Sequence, residues 1–107
     1  MKDKELADKV VALGTGQVLE ESDWINEKGD YAIGGNAGSA KWFVRDWRVA
    51  GALMERCKTM EIDSIGNPWW FACNVEAGPQ PNTYHKAKGE SLPRTIIEAC
   101  VEALETV

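Results

Sequence analysis

The residues predict a small α+β fold: one layered domain over 1–107, about three helices packed on a small, mainly antiparallel sheet in an α/β/α sandwich-like order. Three observations lead there. Apolar residues repeat with helical spacing near both ends and once in the middle. Short strand-like runs bounded by Gly, Pro and Asn lie between them. The 107 residues are enough for one compact core and too few for two.

The first helix is expected over Asp3–Leu13. Leu6, Val10 and Leu13 recur at i, i+4 and i+7, with Ala7 and Val11 beside them and Lys4, Asp8 and Lys9 on the other side. Asp3 can cap its start, and Gly14 supplies its stop. Residues 15–30 read as irregular or turn-rich, with Trp24-Ile25 and Tyr31-Ala32-Ile33 as short strands about a turn at 26–30. Residues 34–39 read as a glycine-rich loop feeding a second helix over about 46–58, with Asp46 as N-cap. Trp47, Ala50, Leu53, Met54 and Cys57 form its expected apolar stripe. Arg45, Arg48 and Arg56 fall on another face, with Ala52 in the gap between them.

A strand is expected at 61–65 and the strongest one at 69–76, apolar on both sides near its start. Gly78, Pro79 and Pro81 make a turn, and 83–87 return as the partner strand of a hairpin. Ser91 caps the last helix, with Pro93 tolerated in its first turn. Leu92, Ile96, Cys100, Ala103 and Val107 form one apolar row and Ile97, Val101 and Leu104 a second. Arg94, Glu98, Glu102 and Glu105 are left for the wet face.

Charge narrows the functions. Seventeen acidic residues against twelve basic give a net charge of −5. General binding to duplex nucleic acid is not expected, because phosphates must be neutralised by clustered Lys and Arg. The acidity is also too scattered for a mimic of DNA. Residues 41–60 run the other way, with five basic groups against two acidic.

Cys57, Cys73 and Cys100 stand far apart; an odd count without paired spacing predicts reduced thiols in a cytoplasm. The opening residues show no apolar targeting core, and no run approaches the ~18 apolar residues of a membrane span. No membrane partner is expected.

Candidate chemistry is sparse. His85 is the one histidine and could serve as base to Cys73. Cys73, however, alternates with Phe71 and Val75 in the manner of an inert core thiol, so no catalytic residue is assigned and no enzyme is expected. One His and three dispersed Cys do not make a metal site, and no cofactor is expected. The glycine-rich run misses the phosphate-loop pattern, since Ser39-Ala40 separate Gly38 from Lys41. Its exposed N–H groups, with Gly35, Gly38, Ser39 and Lys41, could still hold a small anion or nucleotide. A plain turn beside a solvated basic helix face is the stronger expectation there. Trp69 and Trp70 are adjacent on a strand and so point to opposite faces, which leaves one indole as a candidate anchor for a partner.

Three stretches carry a resemblance: the opening helix ending Leu13-Gly14, the central helix from Asp46-Trp47 to Cys57, and the closing Leu92-Pro93-Arg94-x-Ile96-x-x-Ala99-Cys100. In their order and spacing they resemble the phage ABA-sandwich domain proteins, short proteins of tailed phages and prophages. The stretches span nearly the whole chain, although segment 34–40 and Trp69-Trp70 have no counterpart in the family pattern. The resemblance implies a sheet between helices, a phage or prophage origin, and no catalytic residues to carry over.

The expected function is therefore a phage accessory protein of the bacterial cytoplasm that acts by binding a host or phage protein, or a second copy of itself. Inhibition of a host defence complex fits its size and acidity, but it is implied only by the phage origin that the resemblance carries. Arg45, Arg48, Arg56, Trp69 and Trp70 are the expected contact residues. The alternative is a small-anion or nucleotide binder built on the glycine-rich loop and the basic residues next to it.

Overall fold

The computed structural model describes residues 1–13, 24–25, 30–33, 36–57, 59–65, 70–76, 84–89 and 91–105. In chain order they form α1 (Asp3–Leu13), β1 (Trp24–Ile25), β2 (Tyr31–Ile33), β3 (Asn36–Gly38), α2 (Ala40–Phe43), α3 (Trp47–Met54), β4 (Thr59–Ile65), β5 (Trp70–Glu76), β6 (Tyr84–Gly89) and α4 (Leu92–Glu105). The class is mixed α+β, with four helices among the described residues where about three were expected. The predicted Gly14 stop, the turn at 77–82 and Val107 lie outside the described residues.

The extra helix is α2, a single turn. Ser39 starts it by accepting the Trp42 N–H at 3.3 Å. Asp46 then breaks the helical path with an extended backbone (φ −88°, ψ 130°) and restarts it, accepting the Arg48 N–H at 2.8 Å. The predicted N-cap is thus in place, but α3 ends at Met54 rather than near residue 58. Its close is tightened by i→i−3 bonds from Arg56 to Leu53 and from Cys57 to Met54. Ser91 opens α4, accepting the Arg94 N–H at 3.4 Å, with Pro93 in the first turn.

The strands form two antiparallel three-stranded sheets, β1-β2-β3 and β4-β5-β6. Part of the expected glycine-rich loop belongs to the first. Residues 36–38 pair with β2 in the register Ile33↔Asn36 and Tyr31↔Gly38, so that backbone is engaged in a ladder. A Cβ on Gly38 would stand 2.6 Å from the Trp42 ring, which makes a side-chain-free residue necessary there. In the second sheet β4 pairs with β5 from Thr59↔Glu76 to Ile65↔Trp70. The predicted hairpin appears as β5 with β6, from Phe71↔Gly89 to Glu76↔Tyr84.

Helix α4 lies on β5 and β6, and α1 and α3 pack against α4. The apolar rows of α4 are buried as predicted at Ile96, Ile97, Cys100, Val101 and Ala103, with Thr95 and Ala99 joining them. They meet Leu6, Ala7 and Val10 of α1 and Val49, Ala50, Ala52 and Leu53 of α3 in one core. Each fully buried aliphatic side chain contributes about 1.5–3 kcal/mol. Asp3 of α1 pairs with Arg94 of α4, and Lys9 pairs with Glu105, so like ends meet and the two helices run parallel.

Candidate functional site

The first surface feature is an indole in water. Trp47 was expected in the apolar stripe of its helix, yet it is 57% exposed. The reason is geometric. With 100° per residue, buried Val49, Ala50, Ala52 and Leu53 centre the inward face of α3 roughly 140° away from Trp47. The predicted stripe omitted Val49 and gave Ala52 to the basic face, which turned it toward the tryptophan. The other aromatic side chains described, Tyr31, Trp42 and Phe43, are buried or half-buried, with Tyr31 stacked on Phe43 at 5.0 Å.

Beside Trp47, Arg48 folds back on the N-cap. Its Nε and Nη2 donate to the two oxygens of Asp46 at 3.0 Å each. That guanidinium holds the Asp46 carboxyl below its ordinary pKa, against the raising effect of burial. Trp47 and Arg48 therefore make one exposed apolar and polar corner at the start of α3, seated on the largely covered Asp46 carboxylate.

A second arrangement sits where α1 and α4 begin. Asp3 was expected to cap α1; instead its carboxylate accepts from two arginines, Arg94 Nε at 2.8 Å and Arg45 Nη1 at 3.1 Å. Arg94 also donates to Glu98 at 2.8 Å and to the Met1 carbonyl. Arg94 and Glu98, assigned to the wet face by periodicity, are thus partly buried, their side chains 17% and 23% exposed. The bond from Arg94 is the main cause that lowers the Asp3 pKa, with Arg45 adding to it and desolvation opposing. This cluster borders an open cleft of about 680 Å³ lined by Lys2, Asp3, Arg45, Gly89, Arg94 and Thr95, among others.

The predicted basic trio does not converge. Arg45 holds the start of α1 through Asp3, while Arg56 donates to the Leu13 carbonyl at its end, 3.1 Å away. Ten residue steps of helix, about 15 Å, separate those two points. Arg45 lies in the turn before α3, so of the three only Arg48 stands beside Trp47. Among the other predicted contacts, Trp69 lies outside the described residues, and Trp70 is described as the first backbone position of β5, opposite Ile65.

Of the predicted anion-binding set, Gly35 lies outside the described residues. Gly38 sits in β3 against Trp42, Ser39 is the N-cap of α2, and Lys41 is exposed on α2 with its carbonyl accepting from Arg45. Cys73 pairs with Ala87 and His85 with Val75, so the two candidate catalytic positions stand two residues apart along the ladder. No group of three metal-ligating side chains occurs among the described residues, and no described helix is long and apolar enough to cross a membrane.

No protein-family model, curated protein or solved structure matches the chain. Its class rests on its own architecture: an α+β domain with antiparallel sheets, an exposed indole corner and a charged cleft.

Proposed function

We propose that this chain is a non-catalytic protein-interaction module whose contact surface centres on Trp47 and Arg48. One observation carries it: a large aromatic side chain stands 57% exposed on a short, well-capped helix. Exposed Trp beside Arg is the composition found at the centre of protein interfaces, where burying one indole can contribute several kcal/mol. The cap pre-orients Arg48, so little order is lost when its outer edge meets a carboxylate on the partner.

The phage ABA-sandwich resemblance belongs to the same proposal. It supplies the phage or prophage origin, a bacterial cytoplasmic setting, a host or phage protein or a second copy as partner, and inhibition of a host defence complex as the role. It also supplies the finer layering, in which α4 on β5 and β6 forms one of two helical layers about the sheet.

Capture from a bacterial lysate, run side by side with wild type and Trp47→Ala, tests the contact. Wild type retains a specific protein, or self-associates in sedimentation; the variant loses that binding at an unchanged melting temperature. Equal binding by both proteins removes Trp47 from the contact surface.

A second small-anion reading, at a place other than the expected glycine-rich loop, is favoured by one observation, the cleft where α1 and α4 begin. Its described lining carries Lys2, Arg45 and Arg94 against Asp3. Phosphate or nucleotide bound there raises the melting temperature with concentration, since a ligand of the folded state stabilises it by mass action. Arg45→Gln abolishes that shift, and a wild-type melting curve indifferent to both ligands discards the reading.

A further inference from the structure

Cys57 and Cys100 lie 43 positions apart, but the fold brings their thiols together. Cys57 follows the close of α3, half-exposed; Cys100 lies in the buried row of α4, and α3 and α4 pack directly on each other. The Cys57 thiol donates to the Leu53 carbonyl at 3.5 Å, and at the packing of α3 on α4 the Cys100 thiol is its neighbour. The Cys100 thiol is the main cause that lowers the Cys57 pKa; burial opposes it, and the Arg56 charge lowers it further. One thiol is reachable from water with a cation at its side, and the other waits behind it in the core.

We propose that Cys57 and Cys100 form a redox pair, with Cys57 the thiol that meets a small disulfide such as oxidised glutathione and Cys100 the thiol that resolves the adduct. In the first step the Cys57 thiolate attacks one sulfur of the small disulfide. A Cys57–glutathione bond forms, the original S–S bond breaks, and one glutathione thiolate leaves. In the second step Cys100, its proton lost to solvent, attacks the Cys57 sulfur and displaces the second glutathione. Two protein thiols are oxidised by two electrons, and one molecule of oxidised glutathione is reduced to two of glutathione. The product ties the end of α3 to α4 and closes the half-exposed thiol to further reaction.

The folded full chain, incubated with oxidised glutathione, quenched with an alkylating agent and mapped by mass spectrometry, decides the matter. The expected result is loss of two of the three thiols, a cross-linked peptide pair joining Cys57 to Cys100, a mass lower by two hydrogens, and full reversal by dithiothreitol. Cys100→Ser stops at a persistent glutathione adduct on Cys57. A persistent Cys57 adduct in the wild-type chain, an unreacted Cys57, or a link made through Cys73 each overturns the proposal. The wild-type map alone suffices if the variant does not fold.

Discussion

The same chemistry, a carboxylate holding a guanidinium, serves opposite ends in two regions of this molecule. At the start of α3, Asp46 and Arg48 are two residues apart, and their bond organises an exposed corner. At the seam of α1 and α4, Asp3 reaches Arg94 across 91 positions of sequence and Arg45 across 42. There the ion pairs join three separate stretches over a floor of fully buried aliphatic side chains. The local pair shapes a surface, whereas the distant one fastens the fold.

Stability measurements can break that contrast. The largest effect belongs to the floor of the seam. Ile96→Ala removes a fully buried side chain from α4 and should cost about 2–5 kcal/mol in denaturant unfolding. A loss under ~1 kcal/mol would mean that α4 is not the centre of the core.

Next comes the fastening. Asp3→Ala leaves two guanidiniums without their shared acceptor and should cost about 1–3 kcal/mol. The low end is expected, because the Asp3 and Arg45 side chains keep 29% and 35% of their surface in water. The pH dependence carries the same signature. The folded Asp3 pKa is lowered below its unfolded value, so its contribution is complete above about pH 4 and fades as pH falls through the lower folded value. Unfolding free energies taken from about pH 5 down to 2 should fall less steeply in Asp3→Ala than in wild type. Parallel slopes would remove the seam from the acid response.

Two smaller changes sharpen the other side. Asp46→Ala removes the N-cap and the Arg48 tether together, and a loss of about 1 kcal/mol is expected. A larger loss would make the corner a structural fastening like the seam. Gly51→Ala should instead stabilise the protein by about 0.5–1 kcal/mol. Gly51 lies inside α3, and a Cβ there meets nothing within 4 Å. Thermal melting resolves its sign.

The contrast also explains what was legible in the sequence. Periodicity located α1, with the bounds Asp3–Leu13, and the buried rows of α4, because apolar spacing reports burial directly. The Asp46 N-cap and the β5–β6 hairpin were readable because capping and turn residues act on near neighbours. The Asp3–Arg94 bond left no such mark; nothing at either position names a partner so far away. Charge placed Arg94 and Glu98 on a solvated face, and only the parallel docking of α1 on α4 brings them partly indoors.

Trp47 failed for a different reason. Its size suggested core, although the angles of Val49 and Ala52 on the same helical wheel already pointed inward and left it outside. The arginines were counted on one face of one helix, but Arg45 and Arg56 belong to turns at either end of α3, and each answers to α1. Residues 36–38 looked like a loop because their pairing with β2 is set by register, which composition does not encode.

The parallel docking of α1 on α4 has a consequence for the order of events during synthesis. An eleven-residue helix is marginal by itself in water, and although α1 also touches α2, the element it packs against most is α4, the last described helix of the chain. Leu6, Ala7 and Val10 therefore emerge from the ribosome long before their main shelter exists. Closing a contact across some ninety residues is slow relative to forming local turns. Throughout that interval the nascent chain carries an incompletely covered apolar stripe, flanked by Lys4, Asp8 and Lys9.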